Sequence, residues 1–188
     1  MADHGDVLLA RWSPASWDPE HELAPEAVDH LIEAARWSPS AGNSQPWSFV
    51  TARRREAIHG RLVPLLAPST RRWAPAASLL VVNLCHRFVE GTDWDYSEFA
   101  EYDLGQSVAY MTIQAQGMGL YSRQFRGFDR DAVERELDLP GHWVAMTMTA
   151  FGRPVPGSAP TARERRPRHD LVWPPATPDD DLGGDTAR

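Results

Sequence analysis

A chain of 188 residues can bury one substantial core and is too short for two. With 42% apolar and 24% charged residues it has the make-up of an ordinary globular domain. Its 19 basic and 26 acidic side chains leave a formal charge of −7, which speaks against a duplex nucleic-acid binder, because neutralising phosphates takes a basic surface.

No apolar run approaches the roughly 18 residues of a membrane span, and the N-terminus lacks a basic region followed by an apolar one, so a cytoplasmic protein is expected. The one cysteine, Cys85, lies in an apolar run and reads as a buried structural thiol without a disulfide partner. Residues 1–6 are expected to be disordered. Val7 to Trp12 reads as a short helix stopped by the Ser13-Pro14 step. Trp12 and Trp17 need only be core or interface aromatics.

Pro25 suits a first helical position, and Val28, Leu31, Ile32 and Ala35 recur at helical spacing up to Trp37. The following stretch to Pro46 is crowded with Pro, Ser, Gly and Asn and leads into a strand at 47–52. Pro39 and Pro46 fix φ while Gly42 admits positive φ between them, which makes a stiffened loop. Its backbone groups need partners. Either they close a helix cap and a tight turn, or a polar ligand meets some of them.

Arg53-Arg54-Arg55 precedes a helix carrying Ile58, Leu62, Leu65 and Leu66, with Pro64 kinking or ending it. Residues 67 to 75 are irregular and carry Arg71 and Arg72. Such arginine clusters usually form solvated faces, although a small anionic ligand needs only two or three. Ser78 to Cys85 is a continuous apolar run of strand length, expected to be covered on both faces. His86 to Asp95 reads as a loop whose aromatic and acidic residues line a substrate mouth or merely face water; the second is favoured. From Tyr96 onward Phe99, Tyr102, Leu104, Val108, Met111, Ala115 and Met118 predict a long helix, central to the fold or packed on a partner chain.

Gly117-Met118-Gly119 ends that helix. With no third glycine and no preceding strand it is not a dinucleotide fingerprint. Asp129 is placed to cap a helix containing Val133 and Leu137, and Trp143 to Phe151 alternates with a strand period. Residues 153–188 are rich in Pro and charge and form no core of their own, with 174–188 expected to be a disordered tail. One domain over 7–173, including a C-terminal arm, is the organisation expected. The histidines are scattered, no metal-binding spacing occurs and no nucleophile sits beside a base, so no metal site is expected. That absence suits an enzyme whose reactive atoms belong to a bound cofactor.

The string Ser38-Pro39-Ser40-Ala41-Gly42-Asn43-Ser44-Gln45-Pro46-Trp47 closely resembles the A-P-S-x-x-N-x-Q-P-W signature of the FMN-dependent nitroreductase family. Gly117-Met118-Gly119, the Leu120–Phe128 segment and Gly152-Arg153-Pro154 also resemble that family. Arg11-Trp12-Ser13 is similar to the start of its R-x-S-x-R phosphate element, with Ala15 where the second arginine would stand.

The resemblance implies an α+β fold, with helices around a mixed, mainly antiparallel sheet and an extended C-terminal arm, in a homodimer with FMN at the interface. It implies that Arg11, Trp12 and Ser13 meet the flavin phosphate together with Arg165 or Arg166, and that Leu171, Val172 and Trp173 anchor the arm. Pro39, Ser40, Ala41 and Asn43 would contact the ring or ribityl chain. Gln124, Phe125, Arg126 and Gly127 would form the loop facing the ring, with the Arg126 N–H on flavin N5 and the Gly127 N–H on the neighbouring carbonyl oxygen. Arg72, or Arg71, is the candidate cation for the N1–O2 edge. No side chain is assigned as catalytic. The implied activity is reduction of a nitroaromatic, quinone or similar small-molecule acceptor by NADH or NADPH with ping-pong kinetics. The alternatives are a flavin-dependent dehydrogenase of a peptide or azoline-type substrate, or a flavin-storing, partner-binding protein with little turnover.

Overall fold

The computed structural model describes residues 4–160 and 162–173, with side chains from Val7 onward. From the N-terminus it runs through α1 (His4–Ala10), α2 (Pro25–Arg36), β1 (Trp47–Arg53), α3 (Ala57–Leu62), α4 (Pro68–Arg71) and β2 (Leu79–His86). There follow α5 (Ala100–Gly117), β3 (Tyr121–Phe125), α6 (Arg130–Glu136) and β4 (Trp143–Gly152). The expectations for residues 1–3 and 174–188 lie outside the described residues, whereas residues 4–6, expected to be disordered, open helix α1.

The four strands form one sheet in the order β1-β2-β4-β3, and every neighbouring pair is antiparallel. The α+β class read from the sequence holds. Strand β2 is central and is buried from Leu79 to Cys85, as a run apolar on both faces requires. On one face Leu79 and Val81 pack with Leu31 and Ala35 of α2, Met111 and Ala115 of α5, and Phe151. On the other, Leu80, Val82 and Leu84 pack with Leu62, Leu66, Val133 and Met148. Each such aliphatic side chain contributes about 1.5–3 kcal/mol by leaving water, so a charge at Val82 would break the sandwich.

Several boundaries differ from the sequence reading for local reasons. Helix α1 ends at Ala10, leaving Arg11 and Trp12 in the extended segment beyond it. Pro64 ends α3 as expected, but the chain continues as a tight 3-10 turn over Val63–Leu65. Residues 68–76, read as irregular, contain the single turn of α4 and a 3-10 turn at Ala74–Ala76. Residues 121–125, given no element from the sequence and including Gln124 and Phe125 of the implied ring-facing loop, are the edge strand β3, paired to β4 from Tyr121↔Gly152 to Phe125↔Met148. Helix α5 begins only at Ala100, and of its apolar residues Tyr102 faces solvent while Asp103, a charged residue, is buried.

Residues up to Ser158 form one unit and those from Ala159 another. In the second unit, Arg168–Leu171 makes a 3-10 turn and Leu171, Val172 and Trp173 are exposed. No helix among the described residues is long and apolar enough to cross a membrane.

Candidate functional site

The loop between α2 and β1 takes its shape from three successive constraints. After Pro39, Ser40 is extended, Ala41–Asn43 makes a 3-10 turn, and Gly42, Asn43 and Gln45 hold φ of 58°, 55° and 47°. Left-handed backbone at Asn43 and Gln45 is uncommon for residues with a Cβ and persists where surrounding bonds fix it. Those bonds are present: Ser40 Oγ accepts from the Gln45 amide at 3.0 Å, and Gln45 Nε2 donates to Asn43 Oδ1 at 3.2 Å. Asp103, on the buried side of α5, accepts from the Ala41 amide at 2.9 Å and from Gln106 Nε2 at 3.1 Å. Part of the loop is therefore capped by protein groups. The Asn43 Nδ2 and the Ser40 hydroxyl hydrogen are left to donate outward.

A second feature is the corner after β3. The amides of Arg126 and Gly127 donate to no group among the described residues, whereas the Gly127 carbonyl accepts from Ala67 N at 2.8 Å. A Cβ on Gly127 would come within 2.1 Å of Thr70 Oγ1. Close approach of α4, rather than unusual φ, is what demands glycine here. Two neighbouring amides without an acceptor among the described residues, on a backbone pinned by Ala67 N, leave a pair of donors available to a ligand.

Arg11, Ser13 and Gln124 come together around a cavity of about 350 Å³. Leu8, Ala109, Thr112, Ile113 and Ser122 complete its lining. Arg11 Nη1 donates to Ser13 Oγ at 3.3 Å, so a guanidinium and a hydroxyl already stand as neighbours. On β3 the two-residue alternation sends Ser122 and Gln124 into this cavity and Tyr121, Arg123 and Phe125 to the opposite face. Gln124, two residues before Arg126, is the lining residue nearest that corner in sequence. Phe125 packs edge-on against Trp73 at 5.2 Å, so only its backbone is on offer to a ligand. Trp12 packs edge-on against Tyr121 at 5.5 Å, and Trp17 is in the core.

The remaining sequence candidates are scattered. Arg71 Nη2 donates to the carbonyls of Pro64 and Leu66, which fixes that guanidinium against its own turn. Arg72, at the end of α4, makes no hydrogen bond or ion pair among the described residues. Arg165 and Arg166 belong to the second unit, where Arg165 Nη1 donates to Glu164 O at 2.7 Å. None of Pro39, Ser40, Ala41 and Asn43 lines the Arg11–Gln124 cavity.

The 86–98 segment is held against the signature loop. The His86 ring lies between Tyr96, stacked at 3.8 Å, and Trp143, stacked at 4.9 Å, and the Tyr96 hydroxyl donates to Ser44 O at 3.3 Å. Arg87 adds ion pairs to Asp95 at 3.0 Å and Glu101 at 3.4 Å. Burial, and then the neighbouring His142, push the His86 pKa down, so the ring is neutral in the stack at pH 7. Trp94 at the tip is exposed, consistent with the reading that this loop faces water.

Cys85 is buried with its pKa pushed up to about 11, first by desolvation and then by Glu101, which makes it inert as a nucleophile. Among the described residues no three His, Cys, Asp or Glu side chains are grouped to hold a metal. Among the described residues the arrangement offers donors and cations that a bound group could meet.

The family model of the nitroreductase family matches residues 8–153, and this chain belongs to that family. A protein of Archaeoglobus fulgidus, named among the NADH dehydrogenase/NAD(P)H nitroreductases, is 38% identical over 139 residues, covering 72% of this chain and 76% of the relative. A similarly named protein of Streptomyces coelicolor is 28% identical over 165 residues, or 76% of this chain and 80% of the relative. A solved structure described as an oxidoreductase containing FMN superposes with a TM-score of 0.74 at 27% identity, over 80% of this chain and 76% of that one.

Two residues that shape the site were not picked out from the sequence. Asp103 has a signal, since it interrupts the buried stripe of α5 between Ala100 and Ser107, where an unpartnered carboxylate would be costly. Thr70, which dictates Gly127, has none.

Proposed function

We propose that the protein is an FMN-dependent oxidoreductase that takes hydride from NADH or NADPH and passes it to a nitroaromatic, quinone or similar acceptor in a ping-pong cycle. The observation that carries this reading is the pair of amides at Arg126 and Gly127 that have no acceptor among the described residues, at a corner where Thr70 crowds any Cβ at the second position. A flavin bound there supplies a two-electron carrier that accepts hydride at N5.

The chain's own residues would do the rest. Arg11 and Ser13 hold the phosphate through charge-assisted bonds of about 1.5–3 kcal/mol each, aided by Arg165 or Arg166 from the C-terminal arm. The amides of Arg126 and Gly127 orient the ring edge, and Gln124 donates from the adjoining cavity wall. Arg72 supplies positive charge to balance the negative charge a reduced ring carries near N1 and O2. Asn43 and Ser40 offer the outward donors described above, while Pro39 and Ala41 shape the loop.

The signature loop and the Arg11 cavity would meet across a homodimer interface. Support comes from the apolar rim of that cavity, where Leu8 and Ile113 are 59% and 44% exposed, with Leu9 and Tyr110 exposed nearby on the same helices. Exposed aliphatic and aromatic side chains grouped on two adjacent helices mark a face awaiting a partner. The exposed Leu171, Val172 and Trp173 fit an arm that docks on a second subunit.

The test is an absorbance spectrum of the purified protein before and after each reduced nicotinamide. Flavin bands that bleach with NADH or NADPH and return on adding an acceptor are expected. Colourless protein that takes up no FMN on incubation would overturn the reading.

A further inference from the structure

Most arginines of the first unit have a side-chain partner, apart from the exposed Arg135 and Arg153. Arg36, Arg53, Arg55, Arg61 and Arg87 lie in ion pairs with glutamate or aspartate, and Arg54, Arg71 and Arg123 are spent on backbone carbonyls. Around Gly127 the pattern is different. Arg126 folds back so that its guanidinium lies 4.5 Å over the Phe128 ring, with Nη1 donating to Phe128 O at 3.0 Å and no carboxylate in ion-pair range among the described residues. Arg130, four residues on, keeps its Nε buried without any hydrogen-bond partner. Arg72 follows directly on α4, whose Thr70 touches Gly127, and it too has no partner among the described residues.

Arg126 and Arg130 stand close together without an ion-pair partner among the described residues, in a chain of net charge −7. Their mutual repulsion costs stability, and an anion beside them would relieve it. Desolvation and then the charge of Arg130 lower the pKa of Arg126, while the more distant carboxylates of Glu134 and Asp131 offset this only in part. The ties between the Arg126 side chain and the protein, one carbonyl bond and the Phe128 ring, are weak enough to give up for an oxyanion, which a planar guanidinium grips with two parallel bonds.

We propose that Arg126, reinforced by Arg130, is the specificity-determining residue of the site and takes an anionic oxygen group on the molecule that reacts at the Arg126–Gly127 corner. That group is either a phosphate of the nicotinamide dinucleotide donor or a carboxylate on the acceptor. The inference rests on the flavin reading above, because it is the bound ring that brings donor and acceptor to this corner. It does not require the Arg126 amide to change, since the backbone donor survives any side-chain replacement except proline.

The experiment uses the full-length protein loaded with FMN, as wild type, Arg126→Ala, Arg126→Lys and Arg130→Ala. Flavin occupancy is read from absorbance. Specificity is read as kcat/KM for NADPH and NADH, and as the ratio of kcat/KM for 4-nitrobenzoate over 4-nitrobenzamide. Calorimetric titration of the oxidised protein with NADP+ and with 4-nitrobenzoate gives a readout independent of turnover. If the donor phosphate is the ligand, Arg126→Ala weakens NADP+ binding and lowers kcat/KM for the dinucleotide about ten-fold or more, and leaves the nitrobenzoate ratio alone. If the acceptor carboxylate is the ligand, the ratio and the nitrobenzoate affinity fall by that factor instead. Either way Arg126→Lys is intermediate, Arg130→Ala falls in the same direction by a smaller factor, and flavin occupancy is kept. Yellow, active Arg126→Ala protein with every one of these quantities unmoved overturns the inference while leaving the flavin reading intact. Wild-type protein that binds no FMN overturns both.

Discussion

The carboxylate of Asp103 accepts a hydrogen bond from the backbone amide of Ala41 at 2.9 Å, and so ties the central helix to the signature loop across 62 positions of sequence. Asp103 is 2% exposed, so its charge is tolerated because two donors meet it, the Ala41 N–H and Gln106 Nε2. The left-handed residues Gly42, Asn43 and Gln45 lie on the loop this bond anchors. Asp103→Ala leaves the Ala41 amide without its partner, and a loss of about 1–3 kcal/mol is expected in urea unfolding, with lower flavin occupancy. Asp103→Asn keeps an acceptor and is expected to lose less than about 1 kcal/mol. Equal losses for the two would mean that the bond is not what anchors the loop.

Gly127→Ala is expected to destabilise the protein by about 1–3 kcal/mol through overpacking, because the new Cβ would stand 2.1 Å from Thr70 Oγ1. The same clash predicts a rescue. In Thr70→Ala the hydroxyl is gone, leaving the Cβ of residue 70 at a tight 3.3 Å and the Ala67 Cβ at an ordinary 3.7 Å, so the double variant should recover part of the loss. A double-mutant cycle on unfolding free energies measures this, and additivity would show that Thr70 is not the obstacle.

These two positions also show what a sequence can disclose. The sheet and its cover were legible because β2 is apolar on both faces and β4 alternates, patterns fixed by burial alone. The signature loop was legible because its prolines and glycine constrain the backbone directly. Strand β3 was not: Tyr121-Ser122-Arg123-Gln124-Phe125 is an edge strand with a cavity on one face and the Trp73 contacts on the other, so polar residues occupy both of its faces. Arg71 and Arg72 are adjacent in sequence with the same chemistry, and only the fold gives one of them the carbonyls of Pro64 and Leu66 and leaves the other outward. Asp103 was hidden for a related reason, since a carboxylate on a helix is ordinarily solvated until the partner from a distant loop is known.

Beside Arg11 and Ser13, proposed above to hold the flavin phosphate, Ala15 is exposed and therefore has room for a longer side chain. Arg11→Ala should weaken FMN binding about 10- to 150-fold, the range that follows from one charge-assisted bond. Ala15→Arg should tighten it by a smaller factor, since the added cation is more solvated. Titrating flavin-free protein with FMN, followed by quenching of flavin fluorescence, gives both numbers. Unchanged affinity in Arg11→Ala would place the phosphate elsewhere.

Ile113 is 44% exposed on α5 and lines the cavity together with Leu8 of α1. If that face is the subunit interface, Ile113→Asp buries a carboxylate against a partner's apolar side chains without a counter-charge, which is costly. Sedimentation should then show a shift from dimer toward monomer at micromolar concentration, accompanied by loss of bound flavin. A variant that stays dimeric would place the interface on another face.

Acid sensitivity follows from three histidines. His21, His59 and His86 all have pKa values pushed below their ordinary 6.5, in each case first by burial. His59 is the most constrained, with its Nε2 buried beside no acceptor and Arg54 adding repulsion, while Glu56 works in the opposite direction. Between the lowered pKa of each ring and 6.5 the unfolded chain binds protons that the folded chain does not, so stability rises with pH across that window. Above pH 6.5 these groups contribute no slope. As pH falls through the window stability declines, and below the lowered values the decline from these groups levels off. Urea midpoints at pH 8, 7, 6 and 5 are expected to be flat over the first step and to drop over the next two, with His59→Gln reducing the drop. For His86 the same protonation would place a cation between Tyr96 and Trp143, so loosening of the 86–98 segment, followed by tryptophan fluorescence, is expected over the same range as the drop in stability.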